Sequence, residues 1–188
     1  MNKRQREVIL DLKEVLDRFF ESRQALFDSA SDALSASLRA GGRILVFGNG
    51  GSAAEAQHFA AELVNGLSRR DGPPLAALAL TVDTSCLTAV GNDRGFPGIF
   101  ARQIEALGRT GDAALALTTS GESPNIVEGL RAARAKGLLT VAFTGEKGGA
   151  AARLADILLD VPSCSVPRIQ EAHLVLLHLL AERLEAGL

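Results

Sequence analysis

Hydrophobic positions divide the chain into two regimes. From residue 3 to residue 39 they recur at the i, i+3, i+4, i+7 spacing of one helix face: Val8, Ile9, Leu12, Val15, Leu16, Phe19 and Phe20, continued by Leu26, Phe27, Ala30, Leu34 and Leu38. The pattern predicts a long helix, with a bend near Ser22 as an option, that stops at Gly41-Gly42. Its apolar face has to find cover on the rest of the chain or on another subunit.

From Arg43 onward the pattern changes to short apolar runs without clear alternation, as expected of strands buried on both faces. They lie at Arg43–Phe47, Leu75–Leu80, Ala113–Thr118, Leu139–Phe143 and Ile157–Val161. Between them, helical stretches are predicted near 52–67, 84–91, 98–108, 123–136 and 148–155, with a last helix over roughly 168–186. Such alternation predicts an α/β fold with a five-stranded parallel sheet, right-handed crossovers and helices on both sides. The expectation is one domain over residues 1–188, of which 1–42 form an N-terminal helical extension.

In open parallel sheets, ligands bind beyond the carboxyl ends of the strands. Two of the segments there carry a signal. Gly48-Asn49-Gly50-Gly51-Ser52 joins the first strand to a helix, where glycines permit close backbone approach and unpaired N–H groups can face an anion. Ser52 and Glu55 also have the spacing of a capping box, which explains the serine without a ligand. The segment is neither the GxGxxG dinucleotide fingerprint nor the GxxxxGK[ST] phosphate loop, so a nucleotide cofactor is not expected. Thr118-Thr119-Ser120-Gly121-Glu122-Ser123 places four hydroxyls in six residues ahead of Pro124. A helix cap needs only Ser123; Thr119 and Ser120 are left over. Clustered hydroxyls at a helix start suit a phosphate monoester bound without strong cationic help.

The three histidines, His58, His173 and His178, all fall on predicted helices. His58 and Glu62 are four apart and share a helix face. Gln170 and His178 lie eight apart on the last helix, about 80° around its axis. Two imidazoles, a carboxylate and an amide oxygen can hold a divalent ion such as zinc, provided the two helices meet. A solvated ion pair and an interface histidine are the plainer alternative. His173 lies near the stripe of Leu174, Leu177 and Leu180 and reads as structural.

Composition adds limits rather than chemistry. With 47% hydrophobic and 22% charged residues and a net charge of −2, the chain reads as an ordinary soluble protein without the basic footprint of a nucleic-acid binder. No signal-peptide pattern or apolar run of about 18 residues is visible, so no membrane partner is expected. Cys86 and Cys164 have no CxxC spacing and suggest reduced thiols and a cytoplasmic address.

The segments GNGGS, QHFAAEL, AVGNDRGF, TTSGES, TGEKGG and RIQEAHLVLLH, in this order and spacing, resemble the phosphoheptose isomerase family of SIS-domain proteins over nearly the whole chain. The resemblance implies a three-layer, flavodoxin-like α/β sandwich assembled as a homotetramer. It implies one zinc ion per subunit held by His58, Glu62, Gln170 and His178. It implies substrate contacts from Asn49, Gly50, Gly51, Ser52, Glu62, Asn92, Asp93, Thr118, Thr119, Ser120, Ser123 and Gln170. The reaction it implies is conversion of sedoheptulose 7-phosphate to a heptose 7-phosphate for lipopolysaccharide precursors, an aldose–ketose isomerisation. Glu62 and His178 are then the acid/base pair, with Asp93 as fallback. Val166-Pro167 stands where members of the family can carry polar residues, and no role is assigned there.

Three other readings compete. A non-enzymatic SIS protein that binds the replication initiator shares the loops and the RIQE helix, but lacks part of the set matching Glu62 and His178. A sugar-phosphate sensor attached to a DNA-binding region would need a helix-turn-helix that residues 1–42 do not show. An isomerase of another sugar phosphate would share the same loops.

Overall fold

The computed structural model describes residues 1–69 and 71–188. In chain order its elements are α1 (Lys3–Arg39), β1 (Ile44–Gly48), α2 (Gly51–Asn65), β2 (Ala77–Ala79), α3 (Thr84–Arg94), α4 (Ala101–Leu107), β3 (Ala113–Leu117), α5 (Pro124–Ala135), β4 (Leu139–Gly145), β5 (Ile157–Val161) and α6 (Val166–Gly187). Short 3₁₀ turns cover Phe96–Gly98 and Ala151–Arg153.

All five strands pair in parallel, in the order β2-β1-β3-β4-β5. This is the flavodoxin-like order, and it puts the topological switch point between β1 and β3. Period-two alternation then sends neighbouring residues to opposite cores. Ile44, Val46, Leu115, Leu117, Val141 and Phe143 pack beneath α1, α2 and α6. Leu45, Phe47, Ala114, Ala116 and Ala142 face α3, α4 and α5. Gly129 lets α5 approach the sheet, since a Cβ there would lie 2.8 Å from the Phe47 ring.

Where the elements differ from expectation, the causes are local. α1 is one unbroken helix through Ser22, whose hydroxyl donates to the Arg18 carbonyl one turn back and so is satisfied within the helix. Its apolar stripe is only partly covered: Val15, Phe19, Phe27 and Leu34 are buried, while Ile9 and Leu10 remain more than half exposed. The bidentate pair of Arg23 with Asp160, at 2.7 and 2.8 Å, fixes α1 over β5. The ladder of β2 shrinks to three residues at the sheet edge, with Pro73-Pro74 ahead of it unable to donate. The helix expected at 148–155 reduces to a 3₁₀ turn. Gly148 and Gly149 adopt positive φ there, and the remaining segment is too short to nucleate a stable helix. α3 extends three residues past its expected end, to Arg94.

Candidate active site

Each motif loop at the switch point begins a helix that no side chain caps. Gly50, with φ 56°, precedes α2 as its N-cap. Ser52 therefore sits inside the helix, and the predicted Ser52–Glu55 capping box does not form. Ser52 is buried, and Glu55 turns inward. Ser123 holds the N-cap position of α5 but makes no side-chain capping bond, so its hydroxyl stays available. The first N–H groups of both helices are thus left for water or an anion.

A reciprocal amide pair ties the two loops together. Asn49 Nδ2 donates to Asn125 Oδ1 at 2.9 Å, and Asn125 Nδ2 donates back to Asn49 Oδ1 at 2.7 Å. Sequence reading missed Asn125, for which no local pattern gives a signal; only the β1–β3 pairing brings the two residues together. Within the second loop, the Thr118 hydroxyl accepts from the Gly121 amide at 3.1 Å and Ser120 Oγ accepts from the Glu122 amide at 3.2 Å. Gly121, with φ 69°, must be glycine, because a Cβ there would lie 2.0 Å from the Gly148 carbonyl oxygen. The TGEKGG turn is therefore a wall against which the hydroxyl loop is moulded.

Beside that loop a cleft of about 280 Å³ opens at the ends of β3, β4 and β5, lined by Thr119, Ser120, Gly145, Lys147, Ser163 and Cys164 among others. Lys147 supplies a cation that the composition of the hydroxyl loop did not anticipate.

The second constellation forms where α2 meets α6. The Nε2 atoms of His58 and His178 face each other at 2.7 Å, and Glu62 Oε1 lies 3.6 Å from His58 Nε2. Gln170 lies two turns earlier on α6, with its amide over Gly51, where a Cβ would approach its Nε2 to 2.5 Å. Asn92 and Asp93 lie in the last turn of α3 rather than in a loop, exposed, with Asn92 Nδ2 donating to Asp93 Oδ1 at 2.8 Å.

Two imidazole nitrogens and a carboxylate oxygen aimed at one another form a donor set suited to zinc. Tetrahedral ligation would hold the nitrogens about 3.3 Å apart, so the imidazoles would separate slightly around an ion. Among the described residues, no three His, Cys, Asp or Glu side chains already surround a common point at ligand distance. The chemistry of the set fits the ion; its spacing is that of a shared proton.

Behind this pair His173 is fully buried, with Nε2 3.2 Å from the Thr144 carbonyl oxygen and its ring edge-on to Phe143. Burial pushes the His173 pKa down to about 4, against the opposing pull of the Thr144 carbonyl. Burial pushes the Glu55 carboxyl up to about 7, with Ser52 pulling the other way.

A doubly wound parallel sheet with uncapped hydroxyl- and glycine-rich loops at its switch point defines an α/β protein whose helix starts are open to an anion, and a sequence model of the SIS domain matches residues 9–145. Phosphoheptose isomerase of Burkholderia pseudomallei (strain 1710b) is 50% identical over 161 residues, covering 86% of this chain and 81% of the relative. That of Aquifex aeolicus is 46% identical over 180 residues, covering 96% and 94%. The solved phosphoheptose isomerase from Neisseria gonorrhoeae superposes with a TM-score of 0.91 at 38% identity, over 98% of each chain. The chain belongs to the phosphoheptose isomerase family of SIS-domain proteins.

Proposed function

We propose that the chain is a sugar-phosphate isomerase that converts sedoheptulose 7-phosphate to D-glycero-D-manno-heptose 7-phosphate through an enediol. The observation that carries this reading is the meeting of His58, Glu62 and His178 across two helices in a member of this family. Those are the groups that the initiator-binding alternative lacks in part, and nothing in the comparisons favours that alternative.

The phosphate is held by the amides of Gly50, Gly51 and Ser52 and by Thr119, Ser120 and Ser123, with Lys147 at the edge. Asn49 joins these contacts through its bridge to Asn125, and Thr118 shapes the loop by accepting from Gly121. Asn92 and Asp93 contact the sugar from α3. Glu62 and His178 transfer the protons. One takes the proton from C1 while the C2 carbonyl oxygen gains a proton from the other, giving the enediol. The group that gave its proton then takes the O1 proton while the other returns its proton to C2, so an aldehyde at C1 and a hydroxyl at C2 appear and both side chains regain their starting state. Among the described residues, only Oε1 of Glu62 faces His58, so the second carboxylate oxygen can transfer a proton while the first holds an ion.

Zinc, one ion per subunit, would be held by His58, Glu62, Gln170 and His178, and when bound it polarises the carbonyl and stabilises charge on its oxygen. Exposed Ile9 and Leu10 on α1 and exposed Phe96 support assembly as a homotetramer. No described helix is long and apolar enough to cross a membrane. A cytoplasmic role in lipopolysaccharide precursor synthesis accords with these features.

The test is turnover of sedoheptulose 7-phosphate by metal-depleted protein, with and without added zinc, followed by NMR. Zinc-dependent appearance of the aldose phosphate is expected. Metal-independent turnover would remove zinc from the reading, and no turnover from folded protein would sink the substrate assignment. Glu62→Gln is expected to abolish turnover while leaving the circular dichroism spectrum unchanged.

A further inference from the structure

The proton-transfer set depends on the register between α2 and α6, and the two helices meet again one turn away from it. Glu55 lies one turn before His58 on α2, and His173 lies between Gln170 and His178 on α6. Glu55 Oε2 and His173 Nδ1 are both buried without a hydrogen-bond partner, 4.0 Å from each other. Two orphaned polar atoms facing one another across such a gap are costly unless they share a proton.

The chemistry of the surroundings says where that proton is. The Thr144 oxygen can only accept, so His173 Nε2 carries hydrogen; full burial keeps the ring neutral, and Nδ1 then presents a bare lone pair. An ionised carboxylate opposite it would set lone pair against lone pair. A carboxylic acid would donate.

We propose that Glu55 and His173 form a neutral acid–imidazole pair, closed by a small side-chain adjustment or one bridging water, which locks α2 and α6 in the register at which His58 meets His178. Both are positioning residues for the proposed isomerisation, on which this inference rests. Burial moves the two groups in the directions the pair requires, the acid up to about 7 and the imidazole down to about 4. The groups facing Glu55 are Ser52 from its own helix and His173 from α6, backed by the Thr144 carbonyl of β4.

The experiment compares Glu55→Gln, which keeps a neutral donor, with Glu55→Leu, which removes it, and records ¹⁵N-histidine NMR spectra of the unmutated protein. The spectra should show His173 as the Nε2–H tautomer, neutral between about pH 5 and 8. Glu55→Gln should keep kcat within about three-fold, whereas Glu55→Leu should lower kcat and zinc affinity about ten-fold or more, with a smaller change in KM. An Nδ1–H tautomer, a protonated His173 at pH 6, or a folded Glu55→Leu variant with unchanged kcat and zinc affinity would overturn the proposal. If Glu55→Leu fails to fold, a ten-fold loss of kcat in folded Glu55→Gln would overturn it equally. Should the unmutated protein not turn over the heptulose phosphate, the reaction assignment fails, while the tautomer and zinc affinities still judge the pair.

Discussion

Gly51 has a negative φ, so backbone freedom does not explain it; the position is small because the Gln170 amide lies over it. Since the clash is with the far end of a flexible side chain, Gly51→Ala should fold with a Tm within a few degrees of the original. Gln170 must then swing away, and kcat/KM is expected to fall about ten-fold or more. Unchanged kinetics would show that the amide is not needed where it lies. Asn125 makes the converse case, because it is nearly fully buried and its partner is a loop residue. Asn125→Ala leaves the Asn49 amide unmatched and should cost about 1–3 kcal/mol in a denaturant melt. KM for the sugar phosphate should rise more than kcat falls, because the bridge holds the two loops that cradle the phosphate. A stability loss with unaltered KM would confine the bridge to folding.

Where α2 packs on α6, the signs of two shifts make a prediction about pH. Glu55 is raised from 4.5 to about 7, so on its own its stabilising contribution is present below pH 4.5 and is lost as pH rises towards 7. His173 is lowered from 6.5 to about 4, so its contribution is present above pH 6.5 and is lost as pH falls towards 4. Between pH 4.5 and 6.5 the native pair holds one proton on Glu55, and the unfolded pair holds one on His173. The proton counts match, and this pair should add no slope to stability against pH. Glu55→Gln removes one side of the balance, so stability should then fall by about 1.4 kcal/mol for each pH unit down from 6.5. His173→Gln should give the opposite slope, stability falling as pH rises from 4.5 to 7. Guanidinium melts across this range read the slopes directly, and identical profiles for all three proteins would refute the pairing.

At the scale of the whole molecule, α1 is held along its length, with Arg168 donating to the Val8 carbonyl near its start, yet it leaves two neighbouring apolar side chains uncovered there. Phe19, Phe27 and Leu34 in the core and the Arg23–Asp160 pair hold it to the sheet, whereas Ile9 and Leu10 stay 57% and 56% exposed. Light scattering is expected to give the mass of four chains, and replacing Ile9 and Leu10 together with Asp should dissociate the assembly. A fully active monomer at micromolar concentration would rule out the proposed tetramer.

Most of the architecture was legible in the order of apolar runs and helical stretches, because periodicity reports burial and burial is what the sheet demands of each strand. The five strands, the long first helix and the loops that follow β1 and β3 could all be read from pattern and spacing. Misreadings came where neighbours overrule local preference. The capping box failed because Gly50 took the cap and left Glu55 facing a distant helix. The short helix at 148–155 was lost to two glycines moulded on Gly121. That His58 and Glu62 share a face followed from their spacing, but that His178 joins them rested on family resemblance, since a sequence carries no distance between residues 120 positions apart. The Asn49–Asn125 bridge and the Glu55–His173 pair gave no signal at all. Local sequence determined which elements form and which faces they bury; only the packing of α2 on α6 and the pairing of β1 with β3 decided which side chains share a site.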